Sequence, residues 1–327
     1  MFFKTLFRVY ISMVVTLSLL SVGVLLLNPP RLIAMFDSGV PGSPESYAAL
    51  QFAQDAGIDA VINYSLINAD TKSIEEYLQY ADKIGRKVVP SLKDFATEIN
   101  TDPVNSGYHD QYGSSNGERV INMVRSLEAM KGHGAIWGYL YADEPVINHD
   151  IPFNAGDVAN LVKPRYEQIK AVTDKPVLLA HWRMPSPDLQ TLATVSDHLM
   201  MDYYPYPEGE NQTYGTLEAI ESIAGDTKAA AGNNSWFALQ AFSYYLSEPD
   251  KIQRFTFPPQ PPDTNQGAPD ADVMVDMANR ALKGCVRHLA FFSYGYALQV
   301  GEHQLNNIKL AVKEIRALPE FINPSCS

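Results

Sequence analysis

Eight short runs of β-branched and aromatic residues recur along the chain, separated by stretches with helical periodicity, and this alternation restricts the fold more than any other feature. The runs are 32–37 (LIAMFD), 60–65 (AVINYS), 87–92 (KVVPSL), 136–144 (IWGYLYADE), 176–182 (PVLLAHW), 197–205 (DHLMMDYYP), 236–242 (WFALQAF) and 288–295 (HLAFFSYG). Parallel strands joined by crossover helices produce such an order. Several runs are apolar throughout, as strands covered on both faces are. The stretches 47–57 and 73–85 are amphipathic and end in Gly, which suits a left-handed C-cap. Pro164 would kink the helix predicted after the fourth run or mark a later start. The pattern predicts an α/β protein, a single (β/α)8 TIM barrel over residues 31–327. An open doubly wound sheet would carry a Gly-rich phosphate turn after its first strand, and none follows 32–37.

Ahead of the barrel, Lys4 and Arg8 precede an uncharged apolar run, 9–27, close to the ~20 residues that cross a bilayer. The run is longer than the apolar region of a cleavable signal, and it lacks a small-x-small cleavage pattern. Residues 1–30 are therefore expected to form an N-terminal transmembrane signal-anchor helix, with a cleaved signal peptide as the alternative. Positive charge on the cytoplasmic side then places the barrel outside, membrane-anchored or secreted. Sequons at Asn63, Asn211 and Asn233 agree with an extracytoplasmic chain. Cys285 and Cys326 are too far apart for a CxxC motif; either they pair and pin the C-terminal tail, or both are free thiols.

Charge and motifs narrow the partners. Acidic residues outnumber basic ones 37 to 25, for a net charge of -12 that disfavours nucleic acid. The seven His form no metal-ligand pair at strand or helix spacing, and no phosphate-binding Gly loop occurs. The expectation is therefore no metal and no cofactor. Oligomeric state is not legible.

In such a barrel the site is built at the C-terminal strand ends. Those ends present Asp37, Asn63, Lys93 with Asp94, Asp143 with Glu144, His181 with Trp182, Asp202 with Tyr203 and Tyr204, Gln240, and Ser293 with Tyr294. Singly, each has a structural explanation: Asp37 as a helix cap, Asn63 in a turn, Tyr294 in the core. Together they mix carboxylates, amides, an imidazole and aromatic rings, which suits sugar hydroxyls and sugar C–H faces. Glu144 ends the aromatic run WGYLY, where apolar surroundings would keep its carboxyl protonated for acid catalysis.

The segments GYLYADEP (138–145), MMDYYPYP (200–207), WFALQAF (236–242) and HLAFFSYGY (288–296) resemble the β/α-barrel glycoside hydrolases whose acid/base lies in an Asn-Glu-Pro or Asp-Glu-Pro motif on strand four. The resemblance implies that Glu144 is the acid/base and that a second Glu, the nucleophile, ends strand seven. Gln240 stands there instead, and an amide cannot be an ionised nucleophile. Three replacements are open. Asp202 is one. Assistance by the substrate's own acetamide, as in chitinase-like barrels, is another, with Asp143, Asp202 and Tyr203 as positioning residues. The third is a loop carboxylate, Glu208, Glu210, Glu248 or Glu302, with 247–270 as a lid. The implied function is hydrolysis of an extracytoplasmic poly- or oligosaccharide; the alternative is a non-catalytic carbohydrate-binding barrel that has lost its nucleophile.

Overall fold

The computed structural model describes residues 30–92, 116–145, 154–205, 216–242 and 268–322. The chain divides into two units, Met1–Arg31 and Leu32–Ser327, and every described helix and strand belongs to the second. The apolar run 9–27 lies outside the described residues. Among these no helix is long and apolar enough to cross a membrane.

Eight strands form where the eight runs predict them: β1 (Ile33–Asp37), β2 (Ala60–Asn63), β3 (Lys87–Pro90), β4 (Tyr139–Asp143), β5 (Val177–Trp182), β6 (His198–Asp202), β7 (Ser235–Gln240) and β8 (His288–Phe292). All pair in parallel, in the order β3-β2-β1-β8-β7-β6-β5-β4. The sheet nearly closes on itself between β3 and β4 through two parallel bridges, Val88 with Ile136 and Ser91 with Leu140. Hydrogen bonds from Trp137 N to Val88 O (2.9 Å) and from Leu92 N to Leu140 O (2.7 Å) span this seam. The result is a barrel, with β1 beside β8.

The helices are α1 (Pro44–Ala56), α2 (Thr71–Lys83), α3 (Asn116–Ala129), α4 (Ala155–Lys170), α5 (Ser186–Ala193), α6 (Ala219–Ala231), α7 (Ala271–Lys283), α8 (Tyr294–Val300), α9 (Glu302–Ala317) and α10 (Pro319–Ile322). Short polar side chains start many of them by accepting an otherwise unpaired backbone N–H: Ser43 for α1, Asp70 for α2, Asn154 for α4, Asp270 for α7 and Ser293 for α8. Gly57, left-handed at φ 75°, closes α1 as its position predicts. Helix α4 starts at Ala155 and runs through Pro164.

Strand alternation divides the core in two. Ala34, Phe36, Ala60, Ile62, Val89, Leu140, Leu178, Ala180, Met200, Trp236, Ala238 and Ala290 fill the barrel interior. Their neighbours along each strand, such as Ile33, Met35, Val61, Leu179, Met201 and Phe237, face the helices in a larger outer core. At the N-terminal end of the strands, Trp236 stacks on His288 at 4.5 Å and its indole N–H donates to His198 Nδ1 at 3.1 Å, with Trp137 against both rings. Burial lowers His198 to about 4, so the imidazole is neutral and can accept that bond. The opposite end, where the strands finish, is lined by polar groups.

Candidate active site

Which strand-end side chains reach the barrel mouth follows from counting in twos up each strand. On β2, Ala60 and Ile62 are interior, so Tyr64 is interior and Asn63 is not. On β6, His198 and Met200 are followed inward by Asp202 and Tyr204, while Leu199, Met201 and Tyr203 belong to the outer core. On β7 the interior positions are Trp236, Ala238 and then Gln240.

Strand β4 breaks the rule. Leu140 is interior, but the register against β5 shifts between Leu140 and Ala142, and Tyr139, Tyr141 and Ala142 all belong to the outer core. An uninterrupted strand would turn Asp143 outward. The bulge instead turns it into the mouth, where its Oδ2 accepts the Tyr64 hydroxyl at 2.9 Å. The next residue, Glu144, has φ 46°, an uncommon left-handed conformation for a side chain other than glycine. Its backbone N–H still donates to Ala180 O at 2.8 Å, so the strand's pairing continues to this residue.

Three carboxylates and two phenols thus share the mouth. Tyr64 is pushed well above its ordinary value, first by burial, then by the charges of Asp143 and Asp202, and least by Glu144. Tyr204 is raised in the same way, by burial first and then by Asp202, Tyr64, Asp143 and Glu144. The 2.9 Å hydroxyl bond sets Asp143 beside Tyr64. Asp202 is buried, Asp143 half-buried and Glu144 exposed. Both phenols stay protonated, so they are hydrogen-bond donors. Aromatic rings line the space between: Phe36 lies 5.3 Å from Tyr64 and 5.2 Å from Phe292, and Tyr204 lies 5.7 Å from Phe292 and 5.2 Å from Phe242. Tyr296, from α8, completes the lining 5.8 Å from Phe292.

Of the residues expected at the site, the structure therefore gathers Asp143, Glu144, Asp202, Tyr204 and Gln240. It turns others away. Asp37 follows Ile33 and Met35 to the helix side, where Asn63 Nδ2 donates to it at 3.3 Å and to the Gly39 carbonyl at 2.9 Å. Asn63 is fully buried there, within 3.4 Å of the Tyr77 hydroxyl, so its sequon is not presented to solvent. His181 shares the parity of Val177 and Leu179; it is fully buried, with Nδ1 against the Trp182 carbonyl, and burial lowers it to about 4. Trp182, by contrast, has the interior parity of Leu178 and Ala180 and lies in register with Asp202, and its half-buried ring also packs against the outer core. The Tyr203 hydroxyl donates to Thr216 O at 3.1 Å. Tyr294 packs on Phe52 of α1 at 5.3 Å, and Ser293 caps α8. Lys93 and Asp94 lie outside the described residues, as do Glu208, Glu210, Glu248 and all of 247–267; Glu302 is exposed at the start of α9.

The expected apolar setting of Glu144 is not observed, because the left-handed turn leaves it open to solvent. Tyr64, Phe292 and Tyr296 were not expected at the site. Parity alone would have found Tyr64, two residues after interior Ile62. Gln240 holds the strand-seven position, its amide N–H donating to the Phe242 carbonyl at 3.1 Å. Among the described residues no group of His, Cys, Asp and Glu is arranged to hold a metal ion. Cys285 is disulfide-bonded, and the one other cysteine in the sequence, Cys326, lies outside the described residues.

No protein-family model matches the sequence, and no curated protein is similar to it in sequence. Solved structures are similar in fold. GH5_18 from Streptomyces cattleya, in complex with Manβ1-4GlcNAc, has a TM-score of 0.55 at 10% identity, over 90% of this chain and 82% of that one. A GH113 β-1,4-mannanase has a TM-score of 0.51 at 11% identity, over 90% of this chain and 98% of that one. Bacteroides uniformis β-glucuronidase 2, covalently bound to cyclophellitol-6-carboxylate aziridine, has a TM-score of 0.53 at 12% identity; the match covers 81% of this chain but only 31% of that one. The chain therefore shares the eight-stranded β/α barrel fold of these solved structures.

Proposed function

We propose that this protein hydrolyses glycosidic bonds in an extracytoplasmic poly- or oligosaccharide, with Glu144 as the acid/base. The observation that carries the reading is the mouth itself: Asp143, Glu144 and Asp202 grouped around the Tyr64 and Tyr204 phenols inside an aromatic lining. Glycoside cleavage passes through a transition state with positive charge on the sugar ring. Fixed carboxylates stabilise that charge, most of all where water is excluded. The protonated phenols are donors for sugar hydroxyls, and the faces of Phe292 and Tyr296 suit sugar C–H groups. Glu144 is the most accessible of the three carboxylates, so it is the one that can reach the oxygen of the scissile bond. A bound sugar would supply the desolvation that the exposed side chain otherwise lacks. Asp202, buried beside Tyr204, is the second carboxylate in this reading and acts by its charge.

Carbohydrate as the substrate class draws support from the mannanase and the sugar-bound GH5_18 of the same fold. The extracytoplasmic assignment rests on the apolar run after Lys4 and Arg8, proposed to anchor the chain in the membrane, and on the disulfide at Cys285, since such bonds persist in oxidising compartments. The test is release of reducing sugar from a panel of polysaccharides by the full chain, beside Glu144→Gln and Asp202→Asn. Glu144→Gln should lose at least roughly a hundredfold in kcat, and Asp202→Asn should also fall. Sugar binding without hydrolysis in all three proteins would retire the enzyme reading in favour of a carbohydrate-binding barrel that lost its nucleophile at Gln240.

A further inference from the structure

Phe36, Tyr64, Tyr204, Phe242 and Phe292 line the mouth from five strand ends, and β5 adds an indole. On that strand Leu178 and Ala180 point into the barrel, so Trp182 does too. Register places it between the carboxylates. Asp202 on β6 is its direct partner, while Asp143 on β4 pairs with Ala180, one interior step below. The Glu144 N–H donates to the Ala180 carbonyl at 2.8 Å, so the proposed acid leaves β4 beside that same step of β5. Neighbouring strands lie about 4.8 Å apart. Trp182 therefore has Asp202 one strand away on one side and Glu144 one strand away on the other. Strand β5 is four strands from β1 in either direction, which sets the indole on the wall opposite Phe36.

The indole is held from behind. The Trp182 carbonyl accepts the Nδ1–H of fully buried His181, and the ring packs in part on the outer core while the rest of it is open. An aromatic ring backed by a packed core and open at a cleft suits the C–H face of a pyranose, because little side-chain freedom is lost when the two stack. A sugar lying there turns one edge of hydroxyls toward Asp202 and the other toward Glu144. We propose that Trp182 is the stacking platform for the sugar ring at the bond that Glu144 protonates. This rests on the glycosidase reading above. Trp182 binds the ring and sets its height in the mouth; the acid acts on the edge that the stack presents.

Tryptophan emission reads this position directly. The chain has three tryptophans, and the other two, Trp137 and Trp236, lie 5.4 Å apart at the N-terminal end of the barrel. The full chain carrying Glu144→Gln, which should bind without turnover, is titrated with the β-1,4-linked hexasaccharides of mannose, glucose and 2-acetamidoglucose, and with any further glycan that the wild type cleaves in the polysaccharide panel. A glycan that the wild type cleaves should change the emission and protect one indole from oxidation by N-bromosuccinimide. Adding Trp182→Phe should abolish the emission change. With Glu144 intact, Trp182→Ala should raise KM for that glycan roughly tenfold, the order expected for losing one stacked face, with kcat changing less. Trp182→Phe should recover part of that loss, whereas a merely structural indole would lower the folded fraction and leave KM alone. Cleavage of a glycan that leaves the emission unchanged, or an unaltered KM in Trp182→Ala, would overturn the proposal and leave the glycosidase reading intact. No cleavage of any of these glycans would overturn both.

Discussion

At the end of β1 the Asp37 carboxyl is buried on the helix side of the sheet, and burial raises it to about 6 although backbone bonds from Gly39 and Ser38 pull the other way. The stabilising form is the protonated one. Its contribution is full below the ordinary value of 3.8 and is lost as pH rises to about 6. A shift of this size corresponds to something on the order of 3 kcal/mol. Asp37→Asn, which cannot ionise, should gain on the wild type by that order between pH 4 and pH 7 in urea unfolding. Parallel pH curves for the two proteins would refute the assignment. Asp37 also illustrates what residue-level reading gets right and misses: that a polar side chain ends β1 is written in the chain, whereas the face it takes depends on its parity with Ile33 and Met35. Asn63, His181 and Tyr203 were lost from the site for the same reason, and Tyr64 was gained by it.

Elements were more legible than residues, because caps and periodicity act locally. Ser43 with Pro44, Asp70 and Asp270 begin helices, and Gly57 ends one, by interactions within a single turn. Contacts between elements were not legible. Gly284 follows α7, and a Cβ there would meet the Glu221 carbonyl and lie 2.6 Å from Ala224 Cβ, both on α6. At Gly85, also after a helix, nothing lies within 4 Å of a built Cβ. Gly284→Ala should therefore cost about 1–3 kcal/mol by overpacking. Gly85→Ala should cost only the strain of its left-handed φ of 70°, on the order of 1 kcal/mol. Thermal denaturation of the two variants checks the order; equal losses would mean that α6 and α7 separate easily.

Across the whole molecule, the barrel is held unevenly. The ladders from β4 through β8 to β3 are continuous, while the β3–β4 seam depends on two bridges. Amides that cross the seam, Trp137 and Leu92, should exchange with deuterium roughly tenfold faster than Ala241, which donates to Phe292 O alongside the β7–β8 ladder. Equal protection would show that the seam opens only with the rest of the barrel. Because β4 carries the bulge, Asp143 and Glu144, this weak edge borders the proposed catalytic groups.

The amino-acid sequence by itself determined the number and order of the strands and their alternation with helices, since alternation, apolar runs and capping residues are effects of neighbours along the chain. It also placed a carboxylate pair at the end of β4 and an amide at the end of β7. Tertiary structure alone decided which face each strand end presents. Closure of the sheet defines inside and outside, and a single-residue bulge in β4 exchanges the two for everything beyond it. That exchange, together with the left-handed turn at Glu144, assembles the mouth around Tyr64 and Tyr204.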